Sequence, residues 1–178
     1  MRAASPPQGF TLVEALTVVA LIGTLALVAV PVLGSRDAAK LDTAAAEVGN
    51  VLRFALSEAN RTGSYVLVDA GVPGRLTVVK SNASGANLGG VTDPMTKRTL
   101  ELDAAAPPWS GKIAMAASFF QGGTAYQQLL IGPATQLQVF DAGTNRGPLQ
   151  SGSRVAVTLG SLSATVAIAE ATGKVTIP

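Results

Sequence analysis

The sequence predicts an α+β protein, in which a long N-terminal helix precedes an antiparallel β-sheet or sandwich domain. Near the N-terminus a long apolar stretch passes into a segment whose apolar residues recur every three or four positions. After Gly63 that period is replaced by short runs rich in Val, Ile and Leu, which Gly, Pro, Asn or Ser separate. A chain of 178 residues holds one domain of ordinary size together with a segment that serves another purpose.

The composition excludes several function classes. The chain contains no His and no Cys, so it lacks the commonest general base, the commonest metal ligand, thiol nucleophiles and disulfides. Its 13 basic and 11 acidic residues give a net charge of +2, too balanced to indicate a nucleic-acid binder. We therefore expect a protein that is not an enzyme and that holds no cofactor and no metal.

Residues 10–33 form the apolar stretch. No charge occurs from Ala15 to Leu33, and a helix of that length just crosses a hydrocarbon core of about 30 Å at about 1.5 Å per residue. Glu14 is the one charged residue of the stretch, and a carboxylate in hydrocarbon costs about 2.5–3.5 kcal/mol. The sequence thus predicts a membrane-spanning helix with a charge that needs a partner.

Two ordinary explanations leave part of this stretch unaccounted for. A cleaved secretory signal has a basic start, a shorter apolar run and an A-x-A-like exit, whereas Arg2 is the only charge before Glu14 and no such exit follows. A plain signal anchor gives Glu14 no role.

The residues around Gly9 suggest a third explanation. "PPQG" followed by "FTLVEAL" resembles the prepilin-peptidase site of type IV pilins and type II secretion pseudopilins. The resemblance implies that residues 1–9 are a leader removed after Gly9, that Phe10 becomes the N-methylated terminus, and that Glu14 acts in filament assembly. A freed Phe10 amine on a neighbouring subunit would pair with Glu14, and a paired buried charge is far less costly than an isolated one.

Residues 34–62 are predicted to continue the helix as an amphipathic segment. Charged residues lie mostly off one apolar stripe, and Gly63 is a typical C-terminal stop. We expect this half of the helix to pack against the domain that follows. The stripe consists of Leu41, Ala45, Val48, Leu52, Ala55, Leu56 and Ala59.

Residues 63–178 are predicted to form the β domain. "GVPGRL" and "AEATGKV" are expected turns, and residues 81–108 are expected to be loop except for one possible strand, residues 99–102. The other predicted strands are "YVLVDA", "RLTVVK", "KIAMAA", "YQQLLI", "LQVF", "RVAVTL", "ATVAIA" and "KVTI".

The segment that joins the helix to the first strand narrows the resemblance. "LRFALSEANRTGSYVLV" is similar to the corresponding segment of the GspH/FimT group of minor pseudopilins, and "VFDAGTNRG" and the closing strands resemble that group more loosely. The resemblance implies a single-pass protein of the bacterial inner membrane whose pilin-like C-terminal domain lies in the periplasm. Its role would be that of a minor pseudopilin at or near the tip of a type II secretion pseudopilus, which helps export folded proteins across the outer membrane. Its partners would be other pseudopilins, prepilin peptidase, the inner-membrane assembly platform and membrane lipid.

Two alternatives remain open. One is a FimT-like minor pilin that initiates a type IV pilus or takes part in DNA uptake, and the other is a membrane-anchored periplasmic domain unrelated to filaments. Some DNA-uptake members of the FimT group carry a basic C-terminal motif, where this chain has only Lys174, with Arg146 and Arg154 upstream. Because phosphate binding grows with the number of cations, we do not expect DNA as a partner.

Four carboxylates are the remaining candidates for acid–base chemistry or cation binding: Asp69, Asp93, Glu101 and Asp103. They lack a regular ligand spacing, so we expect surface charges. Glu101 and Asp103 would share a face if they lie in a strand.

Three aromatic residues are candidates for a partner surface or for the core. Phe119 and Phe120 are adjacent, so in a strand one points inward and the other outward. An outward ring could serve a partner interface, and both rings could equally cover the sheet. Trp109 is expected to anchor its loop.

Overall fold

The computed structural model of the protein describes residues 11–94 and 96–178, with the side chains of residues 26–35 excepted. The chain divides into two compact units, Met1–Ala39 and Lys40–Pro178. Helix α1, Leu12–Thr62, runs from the first unit into the second, and antiparallel β-sheets follow it. The predicted α+β class, with a long helix before antiparallel sheets, is confirmed.

In the second unit, the helix from Lys40 onward buries the predicted apolar stripe except Leu56, which is half-buried and packs against the core. The helix ends at Thr62, and Gly63 adopts φ +62°, the left-handed conformation typical of the residue after a helix. The buried helix residues are Leu41, Ala44, Ala45, Val48, Val51, Leu52, Ala55 and Ala59.

The strands follow in short succession. Their bounds are β1 (Tyr65–Asp69), β2 (Arg75–Ser81), β3 (Asn87–Gly90), β4 (Glu101–Asp103), β5 (Ala114–Gln121), β6 (Thr124–Tyr126), β7 (Gln128–Gly132), β8 (Gln136–Asp141), β9 (Thr144–Pro148), β10 (Arg154–Leu159), β11 (Leu162–Ile168) and β12 (Val175–Thr176).

In the described part of the chain these strands form two antiparallel sheets. The first has the order β3-β2-β1-β7-β8-β9, with β4 also paired to β2. The second has the order β12-β11-β10-β5-β6. Val, Leu and Ile residues from both sheets and the stripe of α1 form one core cluster, so alternation along each strand decides which side chains enter it.

The opposite face of the first sheet carries a smaller apolar cluster. Leu67, Val79, Leu130 and Phe140 are buried there, and Tyr65 packs against them. The loop after β2 covers Phe140, since a Cβ on Gly85 would lie 2.5 Å from two carbons of the ring. The first sheet is therefore apolar on both faces.

The structure differs from the predicted strands in three places. Strands β3 and β9 are additional, because "NLGG" and "TNRGP" are poor in strand-forming side chains and owe their conformation to the partner strand. The predicted strand "YQQLLI" is divided between β6 and β7. The strand expected at residues 99–102 begins at Glu101, while Thr99 forms an isolated bridge with Thr92.

Candidate functional site

The helix of the N-terminal segment begins at Leu12, three residues along the chain from Gly9. Thr11 precedes the helix, and its hydroxyl accepts a hydrogen bond from the backbone N–H of Glu14 at 3.3 Å. The same N–H lies 3.1 Å from the carbonyl oxygen of Thr11. Thr11 is therefore the N-cap of α1, and Glu14 occupies the third helical position.

Glu14 lies in the first turn of α1 and is exposed. A carboxylate in the first turn is favoured by the partial positive charge of the helix N-terminus. The predicted cleavage and methylation positions, Gly9 and Phe10, lie outside the described residues. The structure thus places the predicted assembly residue, Glu14, in the first turn of α1. The T-x-x-E pattern of Thr11 and Glu14 is that of a capping box, which is a sequence signal for the start of a helix.

The apolar half of the helix satisfies its own polar groups. The hydroxyl of Thr17 donates to the carbonyl oxygen of Val13 at 2.7 Å. The hydroxyl of Thr24 donates to the carbonyl oxygen of Leu21 at 2.9 Å. The apolar side chains of residues 12–25 are exposed on every side of the helix. At the two ends of this segment, Leu12 is 78% exposed and Leu25 is 66% exposed. A helix that is apolar all round is typical of one surrounded by lipid or by other helices.

We find no helix among the described residues that combines the length and the apolar character needed to cross a bilayer. The predicted membrane-spanning stretch, residues 10–33, extends over Phe10 and the side chains of 26–33, which lie outside the described part.

Glu101 and Asp103 do share a face, and both contact Arg75. Arg75 Nε lies 3.0 Å from an oxygen of Glu101, and its Nη2 lies 3.1 Å from Asp103 Oδ2. The N–H of Ala105 also donates to Asp103 Oδ1 at 2.8 Å. The bond from Ala105 and, after it, the bond from Arg75 lower the pKa of Asp103 below its ordinary value of 3.8. This cluster joins β2 to β4 and is not an acid–base pair.

The other two candidate carboxylates organise loops. Asp69 accepts hydrogen bonds from the N–H of Gly71 at 2.8 Å and from Gln128 Nε2 at 3.2 Å. Asp93 accepts from the hydroxyl of Thr96 at 2.6 Å. Within the described ranges, no three acidic residues converge to hold a metal ion.

The two adjacent phenylalanines point to opposite faces of β5, as predicted. Phe119 is fully buried in the core, whereas Phe120 is partly exposed with the guanidinium of Arg154 5.8 Å from its ring centre. Trp109 is buried and fixes its loop, as expected. The outward ring therefore already has a neighbour in this chain.

The three cations considered for DNA binding do not form one bare basic patch. Arg146 contacts Asp141 at 2.8 Å and lies 5.7 Å from the ring centre of Tyr126. Arg154 lies over Phe120, and Lys174 lies in the exposed turn between β11 and β12. Sequence reasoning missed these cation–aromatic pairs because their partners come from distant strands.

The comparison with known families matches one part of this chain. The profile of the prokaryotic N-terminal methylation motif matches residues 6–30, which include the predicted cleavage position and Glu14. This motif fits type IV pilins and pseudopilins in general, and it implies processing by prepilin peptidase and assembly with other pilin-like subunits. No curated protein and no solved structure gave a significant match.

Proposed function

We propose that this protein is a minor pseudopilin of a type II secretion system, similar to the GspH type. The observation that carries the proposal is the methylation motif at residues 6–30, with Glu14 in the first turn of α1. The likeness of residues 52–68 to the GspH/FimT group supports a minor subunit of that group. The protein acts as a substrate of prepilin peptidase and as a structural subunit, and it is not an enzyme.

In this proposal residues 10–33 hold the protein in the inner membrane, and the unit from Lys40 onward lies in the periplasm. Apart from Glu14 the segment carries no charge, and Thr17 and Thr24 donate their hydroxyl protons to the helix backbone. Such a segment is suited to an apolar surrounding, because few of its polar groups need water.

Assembly proceeds through the new N-terminus. Prepilin peptidase cuts after Gly9 on the cytoplasmic side, and the amine of Phe10 is methylated and stays positively charged. This amine pairs with Glu14 of a neighbouring subunit, while the exposed apolar side chains of the helix pack against neighbouring helices. The ion pair sets the axial register of the subunit in a short pseudopilus, at or near its tip, which helps export folded proteins.

The test is cross-linking of the full chain in its native membranes, followed by mass spectrometry of its partners and of its own N-terminus. Methyl-Phe10 with secretion pseudopilins attached is the expected result. Methyl-Phe10 with pilus subunits attached would instead assign the protein to a type IV pilus. An N-terminus still at Met1 with no filament subunit attached would overturn both assignments.

A pair of variants separates processing from assembly. Gly9→Val should retain the leader, because a bulky side chain replaces the glycine at the cleaved bond; loss of the leader mass would contradict this. Glu14→Val should be processed and membrane-bound, yet should lose most cross-links to neighbours. Glu14→Asp is the matched control that keeps the charge and should keep part of them.

A further inference from the structure

The turn between β2 and β3 contains an asparagine in the pattern Asn-x-Ser. Asn82, Ala83 and Ser84 follow β2 directly, and all three are exposed. Asn-x-Ser/Thr is the acceptor pattern for sugars linked to asparagine, and it is used on surface loops of secreted proteins. The pattern occurs twice in the chain, at residues 60–62 and 82–84, so the local structure is needed to distinguish the two.

Three donors converge on the side-chain oxygen of Asn82. Its Oδ1 accepts hydrogen bonds from the hydroxyl of Ser84 at 2.7 Å, from the N–H of Ser84 at 3.1 Å and from the N–H of Ala86 at 3.0 Å. Because backbone N–H groups only donate, the atom that they share is the carbonyl oxygen of the amide. The amide nitrogen Nδ2 is left without a hydrogen bond in the part of the chain that the structure describes.

Hydrogen bonds and packing hold the turn in this conformation. The N–H of Gly85 donates to the carbonyl oxygen of Asn82 at 3.0 Å, and the hydroxyl of Ser81 donates to the carbonyl oxygen of Ala86 at 2.9 Å. Gly85 also lies against the buried ring of Phe140. The exposed amide of Asn82 therefore belongs to a turn that is anchored on the smaller apolar cluster of the first sheet.

The bonds to Oδ1 favour the reactive form of the amide. An amide nitrogen is a weak nucleophile because its lone pair is delocalised onto the carbonyl oxygen. When Nδ2 of Asn82 loses a proton, the negative charge is shared with Oδ1, where the three donors stabilise it. The hydroxyl of Ser84 makes the shortest of the three bonds, so the serine of the pattern contributes directly to this stabilisation.

The second occurrence of the pattern lacks this geometry. Asn60 lies in the last turn of α1, and its Oδ1 accepts from the N–H of Thr135 at 3.3 Å. The hydroxyl of Thr62 donates to the carbonyl oxygen of Glu58 at 2.7 Å. Residues two positions apart do not face each other on a helix, so this hydroxyl does not stabilise the amide of Asn60.

Two further exposed asparagines have a similar turn without the hydroxyl. Oδ1 of Asn87 accepts from the N–H of Gly89 at 2.8 Å, and Oδ1 of Asn145 accepts from the N–H of Gly147 at 2.8 Å. In both cases the residue two positions along the chain is glycine. Among the asparagines that the structure describes, Asn82 alone combines an exposed turn with a hydroxyl bond to its own amide oxygen.

We propose that Asn82 is the acceptor of an N-linked glycan that is added in the periplasm. The donor is a sugar joined through a diphosphate to a polyisoprenoid lipid, and a membrane-bound oligosaccharyltransferase brings the two together. A base of the transferase takes a proton from Nδ2, Nδ2 forms a bond to C1 of the sugar, and the C1–O bond breaks. The electron pair of that bond leaves with the lipid diphosphate. This inference rests on the proposed function, because it requires the β domain to reach the periplasm.

The test is mass spectrometry of the full chain purified from its native membranes. Trypsin cuts after Lys80 and Lys97, so one peptide, residues 81–97, contains Asn82. We expect a sugar mass that fragmentation places on Asn82 and that mild alkaline β-elimination leaves in place. An unmodified peptide, a sugar that alkali removes from a serine or threonine, or a sugar on Asn60 instead would overturn the proposal.

Variants at Ser84 test the role of the hydroxyl while they retain the asparagine. Ser84→Ala should lose most of the modification, and Ser84→Thr should keep it. Asn82→Gln should lose all of the added mass, whereas the matched controls Asn60→Gln and Asn87→Gln should leave it unchanged. Far-UV circular dichroism verifies that each variant is folded. Full modification of Ser84→Ala would refute the role of the hydroxyl and with it the geometric argument.

The N-terminal peptide of the same sample tests the proposed function separately. Methyl-Phe10 together with an unmodified Asn82 would contradict the glycan alone. A sugar on Asn82 of a chain whose N-terminus is still Met1 would support the glycan and contradict the proposed processing.

Discussion

The contact between Gly85 and Phe140 gives the sharpest test of packing in the β domain. Gly85 has φ +77°, and a Cβ at this position would lie 2.5 Å from Cδ1 and Cε1 of Phe140, where ordinary contacts are 3.4–4 Å. The ring is 1% exposed among Leu67, Val79 and Leu130, so it has no room to move outward. In Gly85→Ala, therefore, the loop or the cluster must shift.

The expected loss of stability has two parts. A left-handed alanine costs about 1–2 kcal/mol, and forcing an extra methyl into a filled cluster costs about 1–3 kcal/mol. The sum is about 2–5 kcal/mol, a large fraction of the roughly 5–15 kcal/mol that stabilise a typical domain. For a chain of this size it corresponds to a fall in Tm of about 4–20 °C.

The assay is thermal unfolding of the full chain in detergent, followed by circular dichroism in the β region. Gly143→Ala is the matched control, because Gly143 has φ +79° and no atom within 4 Å of its added Cβ, so it incurs the backbone cost alone. Equal Tm losses for Gly85→Ala and Gly143→Ala would refute the packing argument. In a Phe140→Ala background, the two glycine variants should become equivalent.

Three further predictions concern separate contacts. Because the pKa of Asp103 is lowered in the folded state, its contribution to stability is present above the unfolded pKa of 3.8 and is lost as pH falls through the folded pKa. In Asp103→Asn, the free energy of unfolding measured with urea should therefore fall less steeply as the pH is lowered. An unchanged slope of that free energy against pH would contradict this. Arg53 donates from Nη2 to the carbonyl oxygen of Val175 at 3.3 Å, so Arg53→Ala should cost about 1 kcal/mol and speed amide exchange in β12, while unchanged exchange would argue against the contact. Thr11→Ala should remove about 1 kcal/mol of N-cap stabilisation and fray the first turn in NMR spectra, whereas Thr11→Ser should not; equal spectra for both variants would exclude the cap.

Local patterns sufficed for the helix. The apolar stripe from Leu41 to Ala59 follows from a 3.6-residue period, and Gly63 marks the end of α1 because glycine adopts its left-handed conformation without strain. Similarly, Glu14 was singled out by a short motif at fixed spacing, whereas the N-cap Thr11 was missed although the T-x-x-E pattern is present in the sequence.

Features that depend on strand pairing were not accessible in the same way. Strand β9 is set by its pairing with β8, and the Arg75 cluster requires β4 to lie beside β2, so both follow from tertiary register and not from local composition. Pairing of distant segments, and not local preference, brings these side chains together.

The hydroxyl bonds of Thr17 and Thr24 bear on how a subunit would change its surroundings. Both threonines return their protons to the backbone of their own helix, so neither needs a donor or acceptor from lipid or from another chain. Transfer of the helix from a bilayer into a bundle of like helices would therefore exchange one apolar solvent for another without breaking those bonds. The carboxylate of Glu14 is then the group whose solvation differs most between the two environments, and the proposed pairing with a neighbour's N-terminal amine would favour the bundle over the bilayer.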